Sequence, residues 1–379
     1  MTESMITLDG NYLEGGGQII RTATALSILT QKPFTVNNIR AKRPQPGLKA
    51  QHLHTIKAFE TLANAKVEHC ELGSTDLIFH PGPMNPQTLN VDVGTAGSVT
   101  LVLQSLALAC LFSPGKYKLK IIGGTDVTWS PRWDYFAEVM VPQFQRYADI
   151  EVKLLKRGYY PKGQGSVEVS IHARHPLQPA QMQQKESQNH ADHAPHLYLT
   201  EQGALKQIKG ISHASKDLEH AQVAERQAKS AANILSQLIK DCPIDIRAEY
   251  ANTESTGSGL TLYAAYSHLP DQIDTAKPIR IGADVLGERG KSAEEVAREC
   301  CDKLFEEMQS HAPVDEHLAD NLIPILGLVG GKIKTSYITT HTKTNIYVVE
   351  KFLDVKFKID EQHHTIEVVK EHKQEKNEK

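Results

Sequence analysis

The side chain best placed for nucleophilic chemistry is His341, in the run His341-Thr342-Lys343-Thr344-Asn345-Ile346. A β-rich stretch, Ile333 to Thr340, precedes it, and an apolar helical stretch, Asn345 to Leu353, follows. The spacing therefore puts a histidine at the start of a helix. The first amides of a helix have no partner within it and hold anions, so a histidine there can aim a ring nitrogen at a bound phosphate. Imidazole attacks phosphorus well, being neutral near pH 7 and a good leaving group once protonated. A lone histidine at a strand end is also a common structural residue, so the choice rests on what accompanies it.

Near the N-terminus, Glu14-Gly15-Gly16-Gly17-Gln18 leads into an apolar helical run, Ile19 to Leu29, with Arg21 in its first turn. Three glycines before a helix let the backbone approach a ligand and point its amides at phosphate oxygens. The segment is not a P-loop, because no Gly-Lys-Ser/Thr follows, and it lacks the Gly-x-Gly-x-x-Gly of dinucleotide-binding folds. Between Glu14 and Glu60 there is no acidic residue, while Arg21, Lys32, Arg40, Lys42, Arg43, Lys49 and Lys57 all fall there. The formal net charge of the whole chain is -3, so this is a local basic surface on a slightly acidic protein. Such a surface attracts polyanions, and the arginine fork suits phosphate.

The elements that must position these groups repeat. In the first unit a turn at 14–17 leads to helix 18–30, strand 34–40 and helix 47–63, then to shorter β-like runs near residue 80. In the second, Gly94-Thr95-Ala96-Gly97 opens helix 98–112; strand 117–122, helix 131–147 and strands 150–155 and 166–171 follow. In the third, helix 317–329 is followed by strand 333–339, helix 342–353 and β-like runs 355–359 and 364–369. The common element order predicts an α/β protein, layered as α+β, in which three two-helix, four-strand modules form one large domain.

A polar, histidine-rich stretch at 175–196 separates the second and third units and reads as a linker. His190, His193 and His196 within it resemble a metal tract, but on a flexible segment they read as incidental. Beyond it, a β-like run 205–212, a helix near 217–240 and strands near 244–250 and 259–265 predict a smaller inserted α/β domain. The expected boundaries are 1–182 and 277–370 for the large domain (repeats at about 1–85, 86–182 and 277–370), 183–276 for the insert, and 371–379 for a frayed charged tail.

At 379 residues, with 40% hydrophobic and 23% charged side chains, the chain has room for several units with sizeable cores and the balance of a globular protein. The first residues hold no apolar signal core and no 18-residue apolar run occurs, so a cytoplasmic protein without membrane contact is expected. Five cysteines, odd in number and without Cys-x-x-Cys spacing, read as free thiols of a reducing compartment. Nothing in the sequence points to an oligomeric state.

Taken together the blocks resemble the RNA 3'-terminal phosphate cyclase family over nearly the whole chain. The carriers are LEGGGQIIRTA (13–23), IRAKRPQPGLKAQHL (39–53), GTAGSVTLVLQ (94–104), GGTDVTWSPRWDYF (123–136), RGYYPKGQG (157–165), HLADN (317–321) and HTKTNI (341–346). The resemblance implies ATP as co-substrate, an RNA ending in a 3'-phosphate as partner, and a 2',3'-cyclic phosphate, AMP and pyrophosphate as products. It implies that His341 becomes a covalent histidine–AMP, and that Glu14 holds a divalent cation, Mg²⁺ or Mn²⁺. Gln104, Pro131 and the stretch His317, Leu318, Ala319, Asp320 and Asn321 match nucleotide-binding positions, with Asp320 placed for a ribose hydroxyl and Pro131 for one face of adenine. Arg21, Arg40, Arg43, Gln51 and His52 match the patch that receives the RNA terminal phosphate.

Two departures stand out: the family often has tyrosine where His317 stands and glutamine where Asn321 stands. Imidazole also stacks on a base, with less area than phenol, so the resemblance implies ATP binding that is weaker or more sensitive to pH here. Two rivals remain. A non-catalytic RNA-binding or ribosome-assembly homologue would keep the basic patch without forming a covalent nucleotide. An enolpyruvyl transferase would share the repeated architecture but has no use for the His341 block. A lysine-dependent ligase is disfavoured, because no Lys-x-Asp-Gly occurs.

Overall fold

Short strands with alternating burial and helices with wide apolar faces build the molecule, as the period-2 and period-3.6 patterns require. The computed structural model describes residues 5–177 and 194–369; most of the 175–196 stretch and the 371–379 tail lie outside the described residues. The first module runs β1 (Ile6–Asp9), α1 (Gln18–Thr30), β2 (Phe34–Asn37), α2 (Ala50–Ala63), β3 (Lys66–Glu68) and β4 (Leu77–His80). Its sheet order is β1-β2-β4-β3, with β1 and β2 parallel and the other pairs antiparallel.

The second module repeats this order as β5 (Thr88–Asp92), α3 (Val99–Phe112), β6 (Lys116–Gly123), a helical stretch, β7 (Ala148–Lys156) and β8 (Gly165–Ala173), with sheet order β5-β6-β8-β7. The helical stretch comprises α4 (Trp133–Tyr135), a π-helical Phe136–Met140 and α5 (Val141–Phe144), where the spacing predicted one helix over 131–147. The third module has β9 (Leu197–Leu199) before the insert. After it come α8 (Glu316–Val329), β14 (Gly331–Lys334), α9 (Thr340–Phe352), β15 (Lys356–Asp360) and β16 (Thr365–Val369), paired in the order β9-β14-β16-β15. The α/β architecture and the threefold repeat are thus those expected from the sequence.

The insert's sheet has the order β11-β10-β12-β13, from β10 (Ala204–Ser215), β11 (Ile244–Ala251), β12 (Ser258–Ser267) and β13 (Ile279–Leu286). Helices α6 (Val223–Leu238) and α7 (Ala293–Gln309) pack on it. Every residue of β12 is buried, because the sheet's other face is covered by the helical stretch of the second module. There a Cβ on Gly282 would stand 2.7 Å from a Val139 methyl, so only glycine admits this approach. The sheets divide the chain elsewhere than at 183 and 277. Strand β9, expected in the insert, pairs in parallel with β14, and β13 and α7, expected in the third repeat, belong to the insert's layer.

Helix α3 is buried along almost its whole length and packs on α1, which packs on α9, which packs on α8. These helices are the shared inner layer of the three modules, and the N-terminal ends of α1, α8 and α9, with one side of α3, line one cleft. Among the described residues no helix is long and apolar enough to cross a membrane.

Candidate active site

Thr339 caps α9: its hydroxyl oxygen accepts from the Thr342 amide at 2.9 Å. Both threonine hydroxyls donate to Asp320 Oδ1, at 2.6 Å and 2.7 Å. Asn345 donates to the Asp320 carbonyl at 2.7 Å and receives the Thr22 hydroxyl at 2.8 Å, tying α8, α9 and α1 together below the cleft. Burial raises the Asp320 carboxyl to about 6, against the two threonine hydrogen bonds that lower it.

His341 sits in the first turn of α9, half-exposed, with Nδ1 against Gln18 Oε1 and Glu14 Oε1. The Gln18 amide donates to the His341 carbonyl at 2.7 Å, which fixes its oxygen toward the ring. Two acceptors at Nδ1 place the ring proton there and leave the Nε2 lone pair free. Burial pushes the Glu14 carboxyl up, but its pairing with His341 and the charge of Arg43 outweigh it and hold it low. Arg43 approaches Glu14 Oε2 at 3.6 Å.

Beside this pair the Gly-rich turn starts α1 with no side-chain cap and no acid in the first turn, leaving its amides available. Gly15 has φ +60°, and a Cβ on Gly17 would lie 2.2 Å from His52 Nε2. His52 Nδ1 accepts the Lys49 amide at 3.0 Å, so the proton is on Nε2, a buried donor with no partner. Burial and the Arg21 charge push His52 well below its usual range, so it is neutral. Arg21 is lowered to about 10, by burial first and then by Arg40, and still carries its charge at neutral pH. Arg40 and Lys49 are lowered in the same way, by burial and a cationic neighbour. Cations crowded around an orphan N–H donor and free helix amides form a site that gains from receiving an anion.

Of the seven cations in the acid-free window, Arg21, Arg40, Arg43 and Lys49 line the cleft with Gln51 and His52. Lys32 donates to the Phe352 carbonyl and Lys42 to those of Asn11 and Leu13, so both serve the fold. Arg21 Nε donates to Gln104 Oε1 at 3.0 Å, joining the first two modules at the cleft floor.

The cleft encloses about 1120 Å³. Its far wall carries Trp129, Pro131 and Arg132 of the second module, Asp284 and Lys291 from the insert, and His317, Asp320 and Asn321 of α8. The Pro131 carbonyl accepts the Thr100 hydroxyl at 2.6 Å, and Arg132 bonds Asp284 at 3.0 Å. His317 is exposed, edge-on to Tyr135 at 6.4 Å between ring centroids, and its carbonyl accepts from Asn321 at 2.7 Å. Leu318 and Ala319 are fully buried in the core and do not line the cleft, because α8 turns them away from the His317 face. Gln18, Lys49, Arg132 and Asp284 were not among the expected site residues. The first three lie inside motif blocks, whereas Asp284 comes from a strand of the insert that no motif marks.

The family model for RNA 3'-terminal phosphate cyclase matches residues 12–359. The RNA 3'-terminal phosphate cyclase of Pyrococcus abyssi is 42% identical, over 94% of this chain and 95% of its own. That of Thermococcus onnurineus is 43% identical over 94% and 96%, and that of Methanococcoides burtonii 40% over 96% and 99%. Likeness across almost the full length of both partners, with the motif residues gathered around one cleft, means that the chain belongs to the RNA 3'-terminal phosphate cyclase family.

Proposed function

We propose that this protein is a catalytically active cyclase of the cytoplasm that uses ATP to convert an RNA 3'-terminal phosphate into a 2',3'-cyclic phosphate. The observation that carries this reading is His341, held at Nδ1 by Glu14 and Gln18 and facing a cation-lined cleft. Nε2 attacks the α-phosphorus of ATP, the bond from that phosphorus to the bridging oxygen breaks, and pyrophosphate leaves. The positive charge that develops on the ring is met by the Glu14 carboxylate at Nδ1. An oxygen of the RNA 3'-phosphate then attacks the same phosphorus and the P–N bond breaks, forming a mixed RNA–AMP anhydride. Finally the vicinal 2'-hydroxyl, already held close to the terminal phosphorus, attacks it and AMP departs.

Arg21, Arg40, Arg43, Gln51, His52 and Lys49 receive the RNA phosphate, with the orphan His52 N–H as a donor. Adenine lies between Pro131 and His317, near Gln104 and Asn321, and a ribose hydroxyl bonds the Asp320 carboxylate. Glu14 fits a divalent cation: as a lone carboxylate it suits an ion that draws its other ligands from phosphate oxygens and water. Such an ion would supply charge neutralisation of the triphosphate. The other grouping with ligand spacing among the described residues, Asp126, Asp134 and His213, has Arg157 bonded to both carboxylates, so it reads as an ion-pair cluster.

The test is incubation with labelled ATP and Mg²⁺ or Mn²⁺, then a denaturing gel. One acid-labile, alkali-stable AMP per chain is expected, lost with cyclisation in His341→Ala and in His341→Asn. Full turnover by His341→Ala would overturn the mechanism and favour the non-catalytic RNA-binding reading.

A further inference from the structure

Trp129 is 95% exposed, the most exposed large apolar side chain among the described residues, and sits at the rim of the cleft. Trp133, four residues on, is 3% exposed. An indole left in water forgoes one of the largest burial gains available to any side chain. The backbone at Trp129 adds to the anomaly, with φ +63°, a left-handed conformation that is unusual for a bulky residue.

The loop that carries it is strapped on both sides. Before Trp129, the Asp126 carboxylate is fixed by buried Arg157 at 3.2 Å, and the Val127 carbonyl accepts the Ser130 hydroxyl at 3.1 Å. After it, Arg132 bonds the Ser130 carbonyl at 2.9 Å and Asp284 of the insert at 3.0 Å, while Thr100 holds the Pro131 carbonyl. A ring on a tethered loop loses little freedom when it binds, which suits a stacking platform.

We infer that Trp129 is a stacking platform for a base of single-stranded RNA that runs out of the cleft from its 3'-phosphate end. The inference rests on the cyclase reading and adds to it a binding residue outside the reacting atoms. A polymer is favoured over a free nucleotide by geometry: a pocket that buries one base would cover the ring, whereas a fully exposed ring at the rim meets only a ligand extending beyond the cleft. Charge agrees, since Arg21, Arg40, Arg43 and Lys49 line the same cleft and draw a phosphodiester chain to it.

The experiment uses the full-length protein. Trp129 is the more solvent-accessible of the two tryptophans, so acrylamide quenching of fluorescence reports mainly on it. Titration without ATP with a short single-stranded RNA bearing a 3'-phosphate should protect the indole, and a nucleoside 3'-monophosphate should not. Base–aromatic stacking sets the scale, so Trp129→Ala should raise the KM for the RNA roughly 5- to 150-fold, with a smaller effect on kcat and partial recovery in Trp129→Phe. Unchanged quenching at saturating RNA, or an unchanged KM in Trp129→Ala, would overturn the inference. So would loss of self-adenylylation by Trp129→Ala in the absence of RNA, which would assign the ring to adenine. Failure of the cyclase reading shows separately, as absence of the His341–AMP label in the wild-type protein.

Discussion

Arg157→Met should destabilise the protein strongly and in a pH-dependent way. Arg157 is 2% exposed and joins Asp126 at 3.2 Å and Asp134 at 2.8 Å, both buried in the second module. Its Nε also reaches Glu249 of β11 in the insert at 3.2 Å. His213 of β10 lies 3.4 Å from Asp126 and 3.7 Å from Asp134, and its Nδ1 is hydrogen-bonded to the Tyr159 hydroxyl at 2.8 Å. Burial, and then the Arg157 charge, push His213 down to about 3, so in the wild-type protein it carries no charge at neutral pH and Arg157 is the cation facing the two aspartates. Burial already raises Asp134 to about 7 although Arg157 opposes it.

Removing one partner of a buried ion pair costs about 3–5 kcal/mol, because the other charge is left in a dry site. Over a chain of this length that corresponds to a fall in Tm of about 4–6 °C if it unfolds as one unit. Without Arg157 the folded pKa values of Asp126 and Asp134 must rise, while their unfolded values stay near the ordinary aspartate value of about 3.9. A carboxyl raised in the folded state favours folding at low pH and loses that advantage as pH rises toward its folded pKa. The gap between wild type and variant should therefore widen with pH, by about 1.4 kcal/mol per unit wherever the variant holds one proton more. Denaturant unfolding at pH 5 and pH 8 measures this. Arg157→Met/Asp134→Asn should recover part of the loss. A variant as stable as wild type at pH 8, or a loss equal at both pH values, would refute the reasoning.

Replacing Arg40 and Arg43 with alanine should weaken RNA-end binding while leaving self-adenylylation largely intact, and each lost phosphate contact should lower the slope of log affinity against log salt by about 0.7. Gly17→Ala should displace the His52 ring, which stands 2.2 Å from the new Cβ, and reduce RNA binding more than overall stability; an unchanged KM for RNA would count against the phosphate site. His317→Tyr, at an exposed position facing the cleft, should tighten ATP binding several-fold through the larger ring; no change by equilibrium titration would mean that residue 317 does not touch the base.

The residues legible in the sequence are those whose chemistry forces a local signature. The left-handed turn at Gly15 and the close approach of His52 at Gly17 demand glycine, a helix start demands a cap such as Thr339, and His341 stands two residues after that cap, in the first turn. The module order was legible for the same reason, since each turn, helix and strand leaves its own period. Strand β9 was not. It is three residues long, and its partner β14 lies beyond the whole insert, so its place is set by long-range pairing and not by its own pattern. Asp284 is hidden in the same way, because it reaches the cleft only when β13 packs against the second module and Arg132 meets it. Leu318 and Ala319 fail for a different reason. Assigning five consecutive residues to the nucleotide ignores that they stand on a helix, where one face recurs at three and four. The residues of α8 that line the cleft are His317, Asp320, Asn321, Pro324 and Ile325, the spacing of one helical face, while Leu318 and Ala319 fill the core. A motif on a helix is therefore a stripe, and half of its letters are there to hold the stripe in place.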